Sequence, residues 1–185
     1  CTNVSDLQFD SDHMMMISPD EGATGRAVYL ASVLGINIGM FYKRRDYSRI
    51  VNGRNPIIAH EFLGASVEGK DVMISSGDSM IDVATELKKR KAKRIFVIST
   101  FGLFTDGLDK FDKAVEEGTI YRVITTNLIY QTPELLSRSY YINCDMSKYI
   151  AHIVDTLNQD TSISELLNPY DRIKKLVTRY RNGNL

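Results

Sequence analysis

Three short polar segments carry the residues of this chain whose types and spacing suit chemistry. The first, Ser18 to Arg26, places acidic residues and glycines between an apolar run and a helical pattern. A turn from a strand into a helix presents backbone N–H groups at the positive helix end, which favours a bound anion. Asp20 in such a turn is a candidate oxygen ligand for Mg²⁺. An acidic side chain that simply caps the helix explains the pattern equally well.

The second segment lies just before another helical pattern. It consists of Ser75, Ser76, Gly77, Asp78 and Ser79 and follows a short apolar stretch. Hydroxyl groups and backbone amides at a helix start can together surround a phosphate monoester. The segment lacks the lysine of a P-loop, and Asp78 or Ser79 acting as an ordinary helix cap is the alternative explanation.

The third segment, which we call the cationic segment, runs from Lys43 to Arg49. Its four cations, Lys43, Arg44, Arg45 and Arg49, open a long polar connection. Positioned Lys and Arg side chains stabilise the charge that develops during phosphoryl transfer, and closure of a loop excludes water. The pattern therefore suits a catalytic loop, although a solvated hairpin would carry the same charges.

The remaining composition excludes several classes of function. Twenty-three basic residues balance twenty-three acidic residues, so any anion site has to be local. The basic run Lys88 to Arg94 lies at a predicted helix end without interleaved aromatic residues, which is typical of a solvated surface. The histidines and cysteines show no metal-ligand or disulfide pattern. No apolar run approaches the roughly 20 residues of a membrane span. We expect a cytoplasmic protein that binds neither nucleic acid nor membrane.

Strands and helices alternate along the chain. Apolar runs predict strands at 13–17, 36–42, 95–98, 121–125 and 140–142, and helical spacing predicts helices at 24–34, 80–87, 106–117 and 147–158. Residues 43–69 are predicted to form a long connection or a loose hairpin. This alternation favours an α/β domain with a mainly parallel sheet flanked by helices.

The C-terminal region is predicted to add two helices. Ser162 and Glu165 have the spacing of a capping box, and Asn168 is placed to cap a helix that begins at Pro169. The last helix is amphipathic, so we expect it to dock on a neighbouring surface of the same chain or of another subunit. The predicted division is a domain of residues 1–160 and a helical extension of residues 161–185.

Several motifs, taken in order, closely resemble the C-terminal half of ribose-phosphate pyrophosphokinases. They are SPDEGATGRA, FYKRRDYSR, MISSGDSM, STFGLFTDG and VITTNLIYQTPE, within residues 14–157. The resemblance is greatest to a longer bacterial variety with extra C-terminal helices. It implies a phosphoribosyltransferase type I-like fold, and a chain that lacks the N-terminal half of the parent enzyme.

The resemblance also implies a reaction and roles for the three segments. Members of the family transfer the β,γ-diphosphoryl group of ATP to the 1-hydroxyl of ribose 5-phosphate, with Mg²⁺, and release AMP. By this pattern a pyrophosphate-binding loop that approaches Mg²⁺ through Asp20 is formed by Asp20, Glu21, Gly22 and Ala23. Lys43 and Arg45 are catalytic residues on a mobile loop. The segment Ser75 to Ser79 holds the 5-phosphate, although the family more often has a sequence like Asp-Thr-Gly-Gly-Thr there.

The chain departs from the family pattern at one point. In the family, a buried strand ends in two adjacent acids that engage the ribose hydroxyls, just before the phosphate loop. Here Val72 runs directly into Met73, and the segment is about five residues shorter than the family pattern, the length of an ordinary strand. We therefore expect a truncated central strand. Two explanations stay open: residues are omitted from the sequence between Val72 and Met73, or the deletion is real and puts activity in doubt.

Two other functions stay open at this point. A non-catalytic homologue that assembles with active subunits is favoured by the missing acids and opposed by the presence of Asp20, Lys43 and Arg45. A salvage phosphoribosyltransferase is expected to keep the paired acids and a base-recognition loop. In the family the adenine site comes from the N-terminal half and from neighbouring subunits. The resemblance thus implies a homo-oligomer, and a chain that is inactive alone.

Overall fold

The described part of the chain forms a seven-stranded sheet. The computed structural model describes residues 4, 6–45, 48, 50, 57–75 and 80–183, with the backbone alone described at residues 43–45 and 57–60. The strands are β1 (Met14–Ser18), β2 (Asn37–Arg45), β3 (Ile57–Leu63), β4 (Asp71–Ser75), β5 (Ile95–Ser99), β6 (Arg122–Thr126) and β7 (Tyr141–Cys144). The helices are α1 (Thr24–Leu34), α2 (Met80–Lys89), α3 (Asp109–Glu116), α4 (Pro133–Leu136), α5 (Ser147–Asn158), α6 (Ser164–Leu167) and α7 (Tyr170–Arg181), and a 3-10 turn (Glu21–Ala23) precedes α1.

The strand order places a reversal of direction in the middle of the sheet. The order is β3-β2-β1-β4-β5-β6-β7, and the pairs are parallel except for the antiparallel pair of β2 and β3. From β1 the chain builds outward to β2 and β3, and from β4 it builds outward in the other direction. A reversal of this kind opens a crevice at the carboxyl ends of the two central strands, where α/β proteins bind their ligands.

The two faces of β1 belong to two different parts of the core. Met14 and Met16 pack with Ala27 and Ala31 of α1 on one face. Met15 and Ile17 pack on the other face, with a cluster that includes apolar residues of α2 and α3. Every residue of β1 and β4 is buried, as expected for central strands of a parallel sheet. The small alanines let α1 lie close to the sheet, which fixes the start of α1 beside the end of β1.

The central strand β4 is complete, so the expected truncation is wrong. Met73 pairs with Met16 on one side and Phe96 on the other, and Ile74 pairs with Ile17 and Val97. Strand pairing needs only backbone groups, and the apolar Met73 and Ile74 supply buried side chains to both faces. The complete strand changes the position of Ser75, which the resemblance assigned to the phosphate loop. It is the last residue of β4 and is only 5% exposed.

An ion cluster closes the opposite, amino edge of the sheet. The Arg94 guanidinium donates to both carboxylate oxygens of Asp71, at 2.9 and 2.6 Å, and to Asp6 at 2.8 Å. The hydrogen bond from Arg94 lowers the pKa of Asp6. Asp71 is 5% exposed, so its charge is compensated by a partner that is itself largely enclosed.

Three lysines of the basic run also make contacts within the chain. Lys89 pairs with Glu86 at 2.6 Å, and Lys91 pairs with Glu68 at 2.9 Å. Lys88 donates to the Lys93 carbonyl at 2.9 Å, which satisfies a carbonyl in the turn after α2. The run therefore ends α2 and holds the following turn.

The C-terminal helix docks on the chain itself. The Tyr180 hydroxyl accepts from the Leu7 N–H at 3.1 Å, and Arg181 donates to the carbonyls of Phe9 and Leu34. This confirms the predicted docking and identifies α1 as one of its surfaces. The predicted capping box is wrong, because the Ser162 hydroxyl accepts from the Ser164 N–H at 3.3 Å and α6 begins there. None of the described helices is both long and apolar enough to cross a membrane.

Candidate functional site

The crevice at the strand reversal is bordered by two serines at strand ends. Ser18 ends β1 and Ser75 ends β4, and the preceding residues Ile17 and Ile74 are register partners. The Ser18 hydroxyl donates to the Asp20 carbonyl at 2.7 Å, which turns the chain directly after the strand. Two of the three predicted segments therefore begin side by side at the crevice.

The predicted pyrophosphate loop forms a tight turn centred on Asp20. The Asp20 carboxylate accepts from the Ala23 N–H at 3.0 Å and caps the 3-10 turn. Glu21 and Gly22 are exposed, whereas Ala23 is buried at 2% exposure. The Thr24 hydroxyl donates to the Asp20 carbonyl at 3.2 Å, which joins the turn to the first residue of α1. The acidic side chain therefore does cap the helical turn, as the alternative explanation predicted. The capping hydrogen bond holds the Asp20 carboxylate at the crevice.

The predicted phosphate segment is described only at its edges. Ser76, Gly77, Asp78 and Ser79 lie outside the described residues, and α2 begins at Met80. The Ser75 hydroxyl is buried and has no hydrogen-bond partner in the described part of the chain. Buried polar atoms normally have a partner in the protein, in water or in a ligand. The unpaired hydroxyl therefore distinguishes Ser75 from Ser18 at the neighbouring strand end.

The cationic segment begins on a strand and not in a loop. Lys43 pairs with His60, and Arg45 pairs with Ile57, in the antiparallel ribbon of β2 and β3. We call this pair of strands the β2–β3 ribbon. Met40 of β2 pairs with Ser18, the last residue of β1. Lys43 and Arg45 therefore lie about 10 and 17 Å beyond the end of β1, at roughly 3.4 Å per residue.

A cleft next to the crevice was not predicted from sequence. Its volume is about 950 Å³, and its walls include Asp20 and Arg26 on one side and Phe101, Thr105 and Lys110 on the other. The loop that follows β5 forms the second wall. Its sequence, STFGLFTDG, contributed to the family resemblance without any of its residues being assigned a role. The signal that could have found this loop was the pair Gly102 and Gly107 in the connection after a buried parallel strand.

Long-range packing holds this loop in place. Phe104 has a left-handed backbone, with φ of 46°, and its ring packs edge-on against Phe111 at 5.1 Å. A side chain at Gly102 would lie 2.6 Å from the Phe104 ring and 2.9 Å from Thr125. Gly102 is therefore required for the loop to fold over Phe104. Backbone strain of this kind is concentrated at functional sites.

A polar network fixes the next loop along the edge. The Tyr141 hydroxyl lies 2.6 Å from the Thr125 hydroxyl, and the Gln131 amide donates to the Tyr141 hydroxyl at 2.5 Å. Gln131 also donates to the Thr126 carbonyl at 3.2 Å. The network ties the loop after β6 to β7, at the same carboxyl edge of the sheet as the crevice.

Comparison with known proteins gives consistent matches. The model of the phosphoribosyl synthetase-associated domain matches residues 65–168. A ribose-phosphate pyrophosphokinase of Thermococcus kodakarensis is 35% identical over 130 residues, which cover 66% of this chain and 44% of that protein. One from Vibrio parahaemolyticus is 29% identical over 164 residues, which cover 85% of this chain and 49% of that protein. The chain therefore spans less than half the length of these curated relatives.

A solved structure matches the fold as well. Phosphoribosylpyrophosphate synthetase from Mycobacterium smegmatis superposes with a TM-score of 0.64 at 18% identity, covering 80% of this chain and 45% of that one. Together with the mainly parallel sheet, this confirms the predicted phosphoribosyltransferase type I-like fold. The family model covers more than half of the residues. The chain thus belongs to the phosphoribosyl synthetase-associated domain family, within the ribose-phosphate pyrophosphokinases that the sequence motifs resemble.

Proposed function

We propose that this chain is the substrate-holding half of a ribose-phosphate diphosphokinase. The whole protein would convert ATP and ribose 5-phosphate into phosphoribosyl pyrophosphate and AMP. The observation that carries the proposal is that two predicted phosphate-binding segments begin at one crevice, at the ends of β1 and β4. Relatives that are named for this reaction support it.

In the proposed reaction, the ribose 1-hydroxyl oxygen attacks the β-phosphorus of ATP. A bond forms between this oxygen and the β-phosphorus, and the bond from the β-phosphorus to the α,β-bridging oxygen breaks. The hydroxyl proton is lost to solvent, and AMP leaves with the bridging oxygen. Such a step needs substrates held in line and positive charge placed on the transferred group.

The chain's own residues divide this work among three places. The turn at Asp20 offers backbone amides to the diphosphate at the start of α1. The segment that begins at Ser75 holds the 5-phosphate, and Lys43 and Arg45 act as catalytic cations on the transferred group. The buried Ser75 hydroxyl, unpaired in the described part of the chain, suits a donor whose acceptor arrives with the ligand.

Magnesium fits this arrangement through Asp20. Mg²⁺ is commonly held by one or two carboxylates together with substrate phosphates, and Asp20 lies at the crevice as one carboxylate. The described residues contain no group of three or more His, Cys, Asp or Glu side chains that could hold a metal alone. The proposed ion would neutralise charge on the bound diphosphate.

A non-catalytic homologue is the second candidate, and one observation favours it. The end of β4 is occupied by Met73, Ile74 and Ser75, without the paired acids that the family places before its phosphate loop. A salvage phosphoribosyltransferase would also be expected to carry those acids. The non-catalytic homologue would bind ribose 5-phosphate weakly and form no AMP.

We predict that ribose 5-phosphate binds the 185-residue chain by itself, because the proposed phosphate site is local. A ligand that binds only the folded state at one hundred times Kd adds about 2.7 kcal/mol of stability. For a chain of this size that raises Tm by roughly 5 to 10 °C. Ser75→Ala is expected to leave the Tm of the unliganded chain unchanged or slightly higher, and to reduce the ligand-dependent shift.

The control is Ser137→Ala, which removes a hydroxyl that donates to the Glu134 carbonyl at 2.7 Å in α4. It should keep the full response to ribose 5-phosphate. Thermal scans with and without ligand measure all three proteins. Absence of a shift at millimolar ligand, or an equal shift in the Ser75→Ala variant, would contradict the assignment of Ser75.

A further inference from the structure

We infer that the packing of the Phe62 ring over Gly39 sets the orientation of the β2–β3 ribbon, and with it the position of Lys43 and Arg45 relative to the crevice. This inference rests on the proposed function and deepens it. Phe62 and Gly39 are positioning residues, since they act on the reaction through the ribbon.

A small tilt at the base of the ribbon displaces its far end, because the ribbon continues past the strand that supports it. β2 pairs with β1 up to Met40, whereas its pairing with β3 continues to Arg45. A two-stranded ribbon is marginally stable alone, so its base decides its direction. At about 17 Å from the base, a tilt of about 5° moves the backbone by about 1.5 Å.

The base is built around two glycines that leave room for one aromatic ring. A side chain at Gly39 would have its Cβ 2.7 Å from the Cε2 and Cζ atoms of Phe62, and 3.0 Å from Ile17. A Cβ at Gly64 would lie 2.9 Å from the Cα of Gly39 and 3.0 Å from the Phe62 ring. A Cβ at Gly64 would therefore clash with the backbone, and a Cβ at Gly39 would force the Phe62 ring to move.

The ring is also held from its other sides. Phe41, its register partner on β2, lies 5.2 Å away between ring centroids. The Arg90 guanidinium stands 5.3 Å above the ring, in the turn that follows α2. Phe62 therefore joins β3 to β2 and to the turn after α2, and it packs against the core cluster that contains Ile17 of β1. The base of the ribbon is thus fixed against the central part of the sheet.

Three changes in the whole protein test this inference. Gly39→Ala displaces the Phe62 ring from its position over residue 39, and Phe62→Leu removes the ring atoms that lie over Gly39. Phe9→Leu is the matched control, since Phe9 is also half-buried with one aromatic partner, Tyr180, at 5.3 Å, and lies before the amino end of β1. A misplacement of about 1 Å can lower a rate by on the order of a hundredfold.

We expect Gly39→Ala and Phe62→Leu to lower kcat by about ten- to a hundredfold while KM for ribose 5-phosphate stays within about twofold. Phe9→Leu should lower Tm by a similar amount and leave kcat unchanged. Distances between spin labels at Ser48→Cys and Glu116→Cys, in a chain without Cys1 and Cys144, give a readout that does not depend on activity. These distances should shift or broaden in the two ribbon-base variants and stay the same in the Phe9 variant.

The two proposals fail in different ways. If the unsubstituted protein forms no AMP, the proposed function fails, and the label distances still test the packing of Phe62 over Gly39. If the distances and kcat of both ribbon-base variants match those of the parent protein, Phe62 only fills the core and the inference is overturned. Should Gly39→Ala not fold, the milder Phe62→Leu variant gives the same two readouts.

Discussion

Replacing Lys43 or Arg45 by Ala in the whole protein is expected to lower kcat by on the order of a hundred- to a thousandfold. Each residue lies on the ribbon beyond the end of β1. Under the proposed function, kcat falls because the interaction of these cations with the transferred diphosphoryl group would be stronger in the transition state than in the ground state. We expect stability to change by less than about 0.5 kcal/mol, as for substitutions that remove no packed group. Steady-state kinetics and thermal scans of the same samples measure both effects.

The control removes a cation at a distance from the proposed site. Lys148 is exposed on α5, and Lys148→Ala should keep kcat and Tm. A large loss of Tm in the Lys43 or Arg45 variants, with kcat unchanged, would make these cations structural and would remove their catalytic role.

The second large effect concerns stability at the opposite edge of the sheet. Arg94→Ala is expected to destabilise the chain by about 3 kcal/mol, because it leaves the enclosed Asp71 carboxylate without its bidentate partner. For a chain of this size the loss in Tm is roughly 6 to 12 °C. Ligand binding at the carboxyl edge should be unaffected once the variant is folded.

Asp6→Ala serves as the internal control for this cluster. Asp6 contacts the same guanidinium at 2.8 Å, but its side chain is 65% exposed. Exposed ion pairs contribute little, so the free energy of unfolding should fall much less than it does in Arg94→Ala. Denaturant titrations compare the two variants. Equal losses would contradict the view that enclosure of Asp71 makes the pair with Arg94 important.

Local sequence signals predicted much of the secondary structure. The first helix was predicted to end at residue 34, and Gly35 adopts a left-handed backbone with φ of 67° directly after α1. The continuous apolar run at Ile95 became the buried strand β5. These features follow from a few neighbouring residues, because a helix stop and a two-sided strand depend on local backbone and side-chain properties.

Features that depend on distant contacts were not accessible in this way. Met73 and Ile74 complete β4 because β1 and β5 offer backbone partners on both sides, which the local pattern did not reveal. The loop after β5 depends on Phe104 packing over Gly102 and on Thr125 from another strand. The packing of Phe62 over Gly39 likewise depends on two strands, β3 and β2. Register and ring packing are tertiary properties, so they override or extend local prediction.

The most direct test of the account is product analysis of the whole protein with ATP, ribose 5-phosphate and Mg²⁺. Chromatography should detect AMP and phosphoribosyl pyrophosphate in equal amounts, and neither product should form when ribose 5-phosphate is omitted. The catalytic claim would be contradicted by a well-folded protein that binds ribose 5-phosphate in thermal scans but forms no AMP. Such a result would make this chain a non-catalytic homologue.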